Sequence, residues 1–361
     1  MGSAGTVAAR AAKMLSALTA EERRAAVESL RRLVERETFD LACDGADGGS
    51  AVACPRCGSV SFVKRGRDAK GAQRHLCKDC GRTFNGKARK VFASSRLPHE
   101  TWMAYIQRFV DELSLRECAA RCEVSLKTSF FMRHRLLEAL RKHSPAFQVE
   151  PGCGCELDET FFPESFKGNH ANGDFAMPRP PHKHAGKSYA GKREWQKRPR
   201  GTGSEHICVL VGVNDRGDVL YDVACRGGLT VAKAKEVLGG KVGAGSVVCT
   251  DKGSAYPRAL RELGVACHHA FASVEHKVNR INNVHSRMKV FMAGFHGVAT
   301  RRLSAYMAWF KWRESFKQDR NGRDMAELAV RQVTSGVYDT PRAAYWDDPY
   351  PFFDYWERQA C

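Results

Sequence analysis

A mixed α/β sheet domain preceded by two smaller modules is the fold class that three observations predict. Beyond about residue 152, short apolar runs rich in β-branched residues alternate with stretches of helical periodicity. The first of these strands are joined by a turn-rich tetrapeptide, whereas the later ones are separated by helix-length segments. That order describes antiparallel strands followed by parallel ones with crossover helices. Upstream, two cysteine pairs and then a purely helical pattern occupy residues 54–143.

Within the sheet domain, Glu156 to Phe162 reads as the first strand. His206 to Val213 and Val219 to Cys225 form a hairpin around Asn214-Asp215-Arg216-Gly217. Val231 to Leu238 reads as a helix, Ser246 to Thr250 as a strand, Ala255 to Leu263 as a helix and Val265 to His268 as a last short strand. A helix is expected over Ile281 to Ala293, ending at Gly294.

The chain has 361 residues and a formal net charge of +18, with a pI of about 9.4. That length accommodates two or three domains. The charge points to polyanionic partners, most simply DNA or RNA, although a merely basic protein would share it. No secretory signal is visible and no apolar run approaches membrane-spanning length. A cytoplasmic protein with reduced thiols is therefore expected, and metal binding is the first use to test for clustered cysteines.

Domain boundaries are expected as follows: a helical N-terminal segment over 1–50, a zinc ribbon over 51–95, a helix-turn-helix over 96–148, the sheet domain over 149–320, and a tail over 321–361. In the first segment Thr19-Ala20-Glu21-Glu22 has capping-box spacing. In the second, Cys54 and Cys57 are separated from Cys77 and Cys80 by nineteen residues. Two such pairs place four thiolates around one structural Zn²⁺. Gly58 and Gly81 follow the pairs, where a tight knuckle needs unusual backbone angles. Lys64, Arg65, Arg67, Lys70 and Arg74 lie between the pairs, either as phosphate contacts or as a solvated surface.

Leu115 to Cys122 and Lys127 to Arg141 have helix-turn-helix spacing, with Ser125 as N-cap of the second helix. Lys127, Arg133 and Arg135 on that helix are the candidate DNA contacts; many short helical pairs share the pattern without reading DNA. An insertion over 163–204 contains a Pro- and Gly-rich stretch, Pro178 to Gly201, with eight Lys or Arg against Glu194. It reads as a loop that orders on a DNA backbone or as a plain linker.

Asp158 and Asp251 each follow an apolar run, so each carboxylate stands at a strand end. Two carboxylates gathered by one sheet suit a divalent metal site for phosphoryl chemistry. Strand alternation turns Glu159 away from Asp158 and assigns it a structural or supporting role; Glu156 shares the face of Asp158 and is a lesser candidate ligand. Asn282 and Lys289 are seven positions apart, two helical turns, with His285 between them on nearly the same face. Around them, residues 277–317 hold nine Lys or Arg, including Arg287, and one acid, Glu314. A wall this basic beside two carboxylates suits nucleic acid.

The segments Asp158-Glu159-Thr160, Thr250-Asp251-Lys252-Gly253-Ser254-Ala255-Tyr256, Ile281 to Lys289, Phe295 to Thr300 and Leu303 to Phe310, together with the cysteine pairs, resemble bacterial insertion-sequence transposases. The group is the DDE type with an N-terminal zinc ribbon, in which Asn replaces the third acid and a Lys follows. The match runs in order from about Cys54 to Phe310. It implies a ribonuclease-H-like fold, cleavage at transposon ends dependent on Mg²⁺ (or Mn²⁺), and transfer of the freed 3′-hydroxyl to target DNA. Carried over residue by residue, Asp158 and Asp251 match the metal-binding aspartates, Asn282 the third position and Lys289 the trailing lysine. Partners implied are the terminal inverted repeats and target DNA, with a homo-oligomer assembled on them.

Two further readings stand beside this one. A DNA-binding regulator would keep the zinc ribbon and helix-turn-helix with an inactive catalytic domain, and a structure-specific nuclease would share the fold. A His-Asn-His nuclease built on His276, Asn282 and His285 is disfavoured, because that site needs a ββα finger and this stretch is predicted helical.

Overall fold

The structure is a computed structural model describing residues 2–47, 53–67, 73–85, 91–92, 95–168, 206–271, 279–317, 322–335, 340, 343–346 and 348–354. These gather into two compact units. One comprises Met1–Asp111, Arg116–Ala139 and Arg320–Asp339; the other comprises Glu112–Leu115, Leu140–Asp319 and Thr340–Cys361. Among the described residues no helix is long and apolar enough to cross a membrane. The basic stretch Pro178 to Gly201 lies outside the described residues, as do Lys70, His276 and Lys277.

The second unit is built on a five-stranded sheet. Its strands are β4 (Gly154–Pro163), β5 (His206–Asn214), β6 (Val219–Arg226), β7 (Val247–Asp251) and β8 (Cys267–Phe271), in the order β6-β5-β4-β7-β8. β4, β5 and β6 pair antiparallel, whereas β7 runs parallel to both β4 and β8. The mixed sheet expected from the strand pattern is thus present. β5 is buried along nearly its whole length, as its unbroken apolar run requires of a central strand.

Helices α6 (Val231–Leu238) and α7 (Tyr256–Glu262) connect β6 to β7 and β7 to β8. Val237, Leu238, Tyr256 and Leu260 pack on Cys155, Leu157, Cys208 and Leu210. α8 (Asn279–Ala293) packs on β4 and β5, and α9 (Leu303–Phe316) on β6. Alternation along β4 therefore turns Cys155 and Leu157 toward α6 and α7, and Glu156 and Asp158 toward α8.

The last strand begins two residues later than the sequence suggests. Val265 is consumed in closing α7, its N–H bonding the carbonyl of Leu260 at 3.1 Å, with Gly264 at φ +76° making the reversal. The acidic, aromatic tail packs back on its own unit. Arg301 donates to the carbonyl of Trp346 at 3.2 Å and lies over the Tyr350 ring, and Arg302 pairs with Asp348.

In the first unit, α1 (Gly2–Ser16) is followed by α2 (Ala20–Asp47). Thr19 and Glu22 form the reciprocal capping box: Thr19 N–H donates to Glu22 at 3.0 Å and Glu22 N–H to Thr19 Oγ1 at 3.3 Å. A three-stranded antiparallel sheet follows, β1 (Phe62–Arg67), β2 (Gln73–Cys77) and β3 (Thr83–Asn85). Its small core joins Cys54, Cys77 and Phe84 with Phe62. Three helices come next, α3 (His99–Val110), α4 (Leu115–Arg121) and α5 (Leu126–Arg141). α10 (Gly322–Ser335), which the sequence pattern did not disclose, packs on α2 and α3 through a stripe that includes Met325, Ala329, Val330 and Val333.

Candidate active site

The ladder between β4 and β7 ends at the pair Leu157–Thr250. One step beyond it, Asp158 and Asp251 are lateral neighbours at the carboxyl end of β7, where open α/β sheets place their ligand sites. β4 continues to Pro163 with only β5 beside it, leaving an open notch at that edge. Oxygen atoms of Asp158, Glu159 and Asp251 lie within 4.8 Å of one another there. Alternation would send Glu159 to the far face, but past the end of β7 no strand separates the two faces, and its carboxyl joins the other two. Its position directly after Asp158, on a strand outlasting its neighbour, was the available signal.

Asp251 accepts the N–H of Gly253 at 3.0 Å, which fixes its carboxylate at the start of the loop. A Cβ at Gly253 would lie 3.0 Å from Asp251 Oδ1 and 3.1 Å from the Tyr256 ring, so a side chain there would press on both groups. Asp158 accepts the N–H of Glu159 at 2.8 Å. Burial, and then the charge of Asp251, push Asp158 up to about 6. Burial followed by Asp251 and Asp158 pushes Glu159 up to about 7. The buried Tyr256 hydroxyl lies near Glu159 without the geometry of a formed hydrogen bond. Three crowded carboxyls with two held toward their protonated forms make a site for a cation with hard oxygen preference.

The third element of the site is α8. Its buried face comprises Ile281, Val284, His285, Met288, Phe291 and Met292. The first turn is tied to β4 by Glu156, which accepts from Ile281 N–H at 3.0 Å and from Arg280 Nε at 2.8 Å. Arg280 also donates to Asp215 at 3.1 Å. Glu156 is therefore committed to holding the helix and stands outside the carboxylate cluster, which corrects its reading as a ligand candidate. Two residues along β4 advance about 6.6 Å and four along α8 about 6 Å. The two elements run in step, and His285 reaches Asp158, with Nδ1 3.5 Å from Oδ2.

Burial and then Lys289 push the His285 imidazole down to about 4. Asn282 and Lys289 are exposed on the flank of α8 adjoining His285. Lys289 acts electrostatically on both Asp158 and His285. Asn283 lies a further 100° round the helix from Asn282, away from the site. The sequence put His285 on nearly the same face as Asn282 and Lys289, without a role beside the carboxylates.

The other sequence-derived residues divide clearly. The four thiols of Cys54, Cys57, Cys77 and Cys80 lie within 4.8 Å of one another, with Cys54–Cys80 at 3.7 Å and Cys57–Cys77 at 3.5 Å. Sulfurs of a tetrahedral Zn²⁺ site stand about 3.8 Å apart, so the cluster fits that ion. Gly58 and Gly81 take φ +75° and +66°, as the knuckles require. On α5, Ser125 Oγ accepts Thr128 N–H at 3.1 Å and caps the helix as expected.

The basic residues of α5 are not equivalent. Lys127 is exposed. Arg133 is fully buried, donating to Cys118 Sγ at 3.2 Å and lying 5.9 Å from the centre of the Phe109 ring. Arg135 is nearly buried and pairs with Glu138. In this packing Arg133 and Arg135 are part of the interior, which corrects their reading as a DNA-facing row. Arg287 on α8 is half-exposed and paired with Glu314 of α9 at 2.7 Å.

Residues 182–315 match the model of the ISXO2-like transposase domain. The chain carries an insertion-sequence transposase domain. The match takes in Asp251 and all of α8, and begins after Asp158. The chain is also 26% identical over 271 residues to an uncharacterized protein in transposable element ISH50 of Halobacterium salinarum, covering 73% of this chain and 85% of that one. The transposase domain thus supplies the second aspartate and α8, and β4 of the same unit adds the first aspartate beside them.

Proposed function

We propose that this transposase binds the terminal inverted repeats of its element, cleaves the DNA strand there and transfers the 3′-hydroxyl end to target DNA. The observation that carries the reading is the gathering of Asp158, Glu159 and Asp251 within 4.8 Å at the end of β7. We read the mixed sheet around them as ribonuclease-H-like. Divalent cations of the Mg²⁺ class, once held by these carboxylates, supply the charge that stabilises attacking and leaving oxygens at a phosphorus. Asp158 and Asp251 are lateral neighbours and bind on one face, and Glu159 closes the notch from the strand end.

α8 presents the cluster to DNA. Lys289 sets a positive charge beside Asp158, where it offsets the charge of an incoming phosphate. Asn282, exposed on the same flank, is placed to hydrogen-bond the DNA near the scissile linkage. The Cys54–Cys80 module is read as a zinc ribbon. α4 and α5 are read as a helix-turn-helix, with Lys127 at the exposed start of its second helix, the end that approaches base edges in such motifs.

The test is incubation of the full chain with Mg²⁺ and a labelled duplex carrying the element's terminal repeat. Nicked and strand-transfer products are expected from the wild type and from neither Asp158→Ala nor Asp251→Ala. Specific binding with no nicking in Mg²⁺ or Mn²⁺ would replace this reading with that of a regulator carrying an inactive catalytic domain.

A further inference from the structure

We infer that Tyr256 is a positioning residue of the cation site: its hydroxyl donates to Glu159 and holds that carboxylate on the ion bound by Asp158 and Asp251. This role rests on the strand-transfer reading above and deepens it. Glu159 stands two residues beyond Leu157 on β4, on the face of the sheet that α7 covers. Its cross-strand partner is Leu210. Tyr256 is the first residue of α7 and packs in the same core as Leu157 and Leu210. One short connection from the end of β7 thus carries both Asp251 and the phenol.

The ring lies against the loop that shapes Asp251. A Cβ placed on Gly253 would stand 3.1 Å from one edge carbon of the ring and 3.2 Å from the next. The N–H of the same glycine bonds Asp251 at 3.0 Å. Tyr256 is 0% exposed, and its buried hydroxyl forms no hydrogen bond among the described residues. Buried hydroxyls are ordinarily bonded, and a phenyl ring would fill the same space without desolvating an oxygen. Packing alone therefore does not call for tyrosine here.

The polar end of the ring lies by the carboxyls. Burial, and then the charges of Glu159, Asp158 and Asp251, hold the phenol well above its ordinary value, so it remains a donor. Asp158 and Asp251 are each steadied by a backbone N–H. Glu159 has one more rotatable bond to order, and the side-chain donor that acts on it is Tyr256. An ion at the cluster takes one oxygen of Glu159 and leaves the other to accept from the hydroxyl. Donors behind a ligand orient it in this way in metal sites generally.

The full chain is titrated with Mn²⁺ alone, the free ion being read from its electron spin resonance, in wild type, Tyr256→Phe, Glu159→Gln and the double variant. Affinity should fall by about tenfold or more in each single variant, with the metal-free melting temperature of Tyr256→Phe not lowered. The double variant should lose no more than Glu159→Gln, because the hydroxyl acts through that carboxylate. Wild-type affinity in Tyr256→Phe or in Glu159→Gln, or losses that add in the double variant, would overturn the inference while leaving the paired aspartates standing. Absence of any binding that depends on Asp158 and Asp251 would sink the strand-transfer reading itself. If Tyr256→Phe folds poorly, the parent decides: Mg²⁺ should give a red-shifted tyrosine difference band that Glu159→Gln lacks. A parent without that band would overturn the inference.

Discussion

Glu156 accepts the backbone N–H of Ile281 at 3.0 Å, so the strand that carries Asp158 also holds the first turn of the helix that carries His285 and Lys289. The carboxylate is buried, sits at the positive end of the helix dipole and is paired with Arg280 at 2.8 Å. Glu156→Ala leaves that amide without its acceptor, while the guanidinium keeps Asp215 and the Asn214 carbonyl. The expected loss is about 1–3 kcal/mol in urea unfolding. Strand cleavage should fall further than the unfolded fraction explains, because α8 is released from its register on β4. Cleavage that tracks folded protein alone would show that α8 is held by its apolar face.

Much of this was legible in advance, and the failures have physical causes. Strands β4 to β7 and helices α6 to α8 appear close to where periodicity and turn chemistry put them, because these elements are bounded by strong signals such as Asn214 to Gly217. The positions of Asp158 and Asp251 at strand ends were also readable. Glu159 was misplaced because alternation describes a strand flanked on both sides, and β4 has lost β7 at that point. Arg133 and Arg135 were misread because basic residues on a helix ordinarily face water. α5 is buried almost all round from Met132 to Leu137, which only tertiary packing determines. His285 needed the strand-to-helix register, which no local pattern contains.

Stability should depend on pH through the carboxylate cluster. Asp158 moves from 3.8 to about 6 and Glu159 from 4.5 to about 7. Raised carboxyl values mean that the folded, metal-free protein holds protons that the unfolded chain has released. The stabilisation is complete below the ordinary values and is lost as pH rises through 6 and then 7. Asp158→Asn combined with Glu159→Gln removes this loss. The melting temperature of the double variant should therefore rise above that of the metal-free parent as pH increases through that window, with no such gain under acid conditions. Saturating Mn²⁺ should close the gap by stabilising the parent only. Parallel melting curves at every pH would reject the idea.

The cysteine cluster makes a separate prediction. Four thiols at tetrahedral spacing around a core of Cys54, Cys77, Phe84 and Phe62 leave little else to hold the small sheet together. Purified protein should contain one equivalent of zinc, measured by elemental analysis. Cys77→Ser should lose most of it, and removal by a strong chelator should expose β1 to β3 to hydrogen exchange. Full occupancy in Cys77→Ser would exclude the four-thiolate site.

The two kinds of basic residue on α5 give the sharpest contrast for DNA binding. Lys127 is exposed at the start of the helix, where a phosphate contact releases about one counterion. Lys127→Ala should weaken binding to a terminal-repeat duplex and lower the slope of affinity against salt by about one, with the melting temperature nearly unchanged. Arg133 lies in the interior against Cys118 and Phe109. Arg133→Ala leaves a cavity and unpartnered neighbours, so it should destabilise the fold by about 2–4 kcal/mol. Any loss of DNA affinity in that variant should disappear once affinity is expressed per folded molecule. A stable Arg133→Ala protein with a reduced salt slope would place the guanidinium on DNA after all, and would mean that α5 turns outward when the duplex binds.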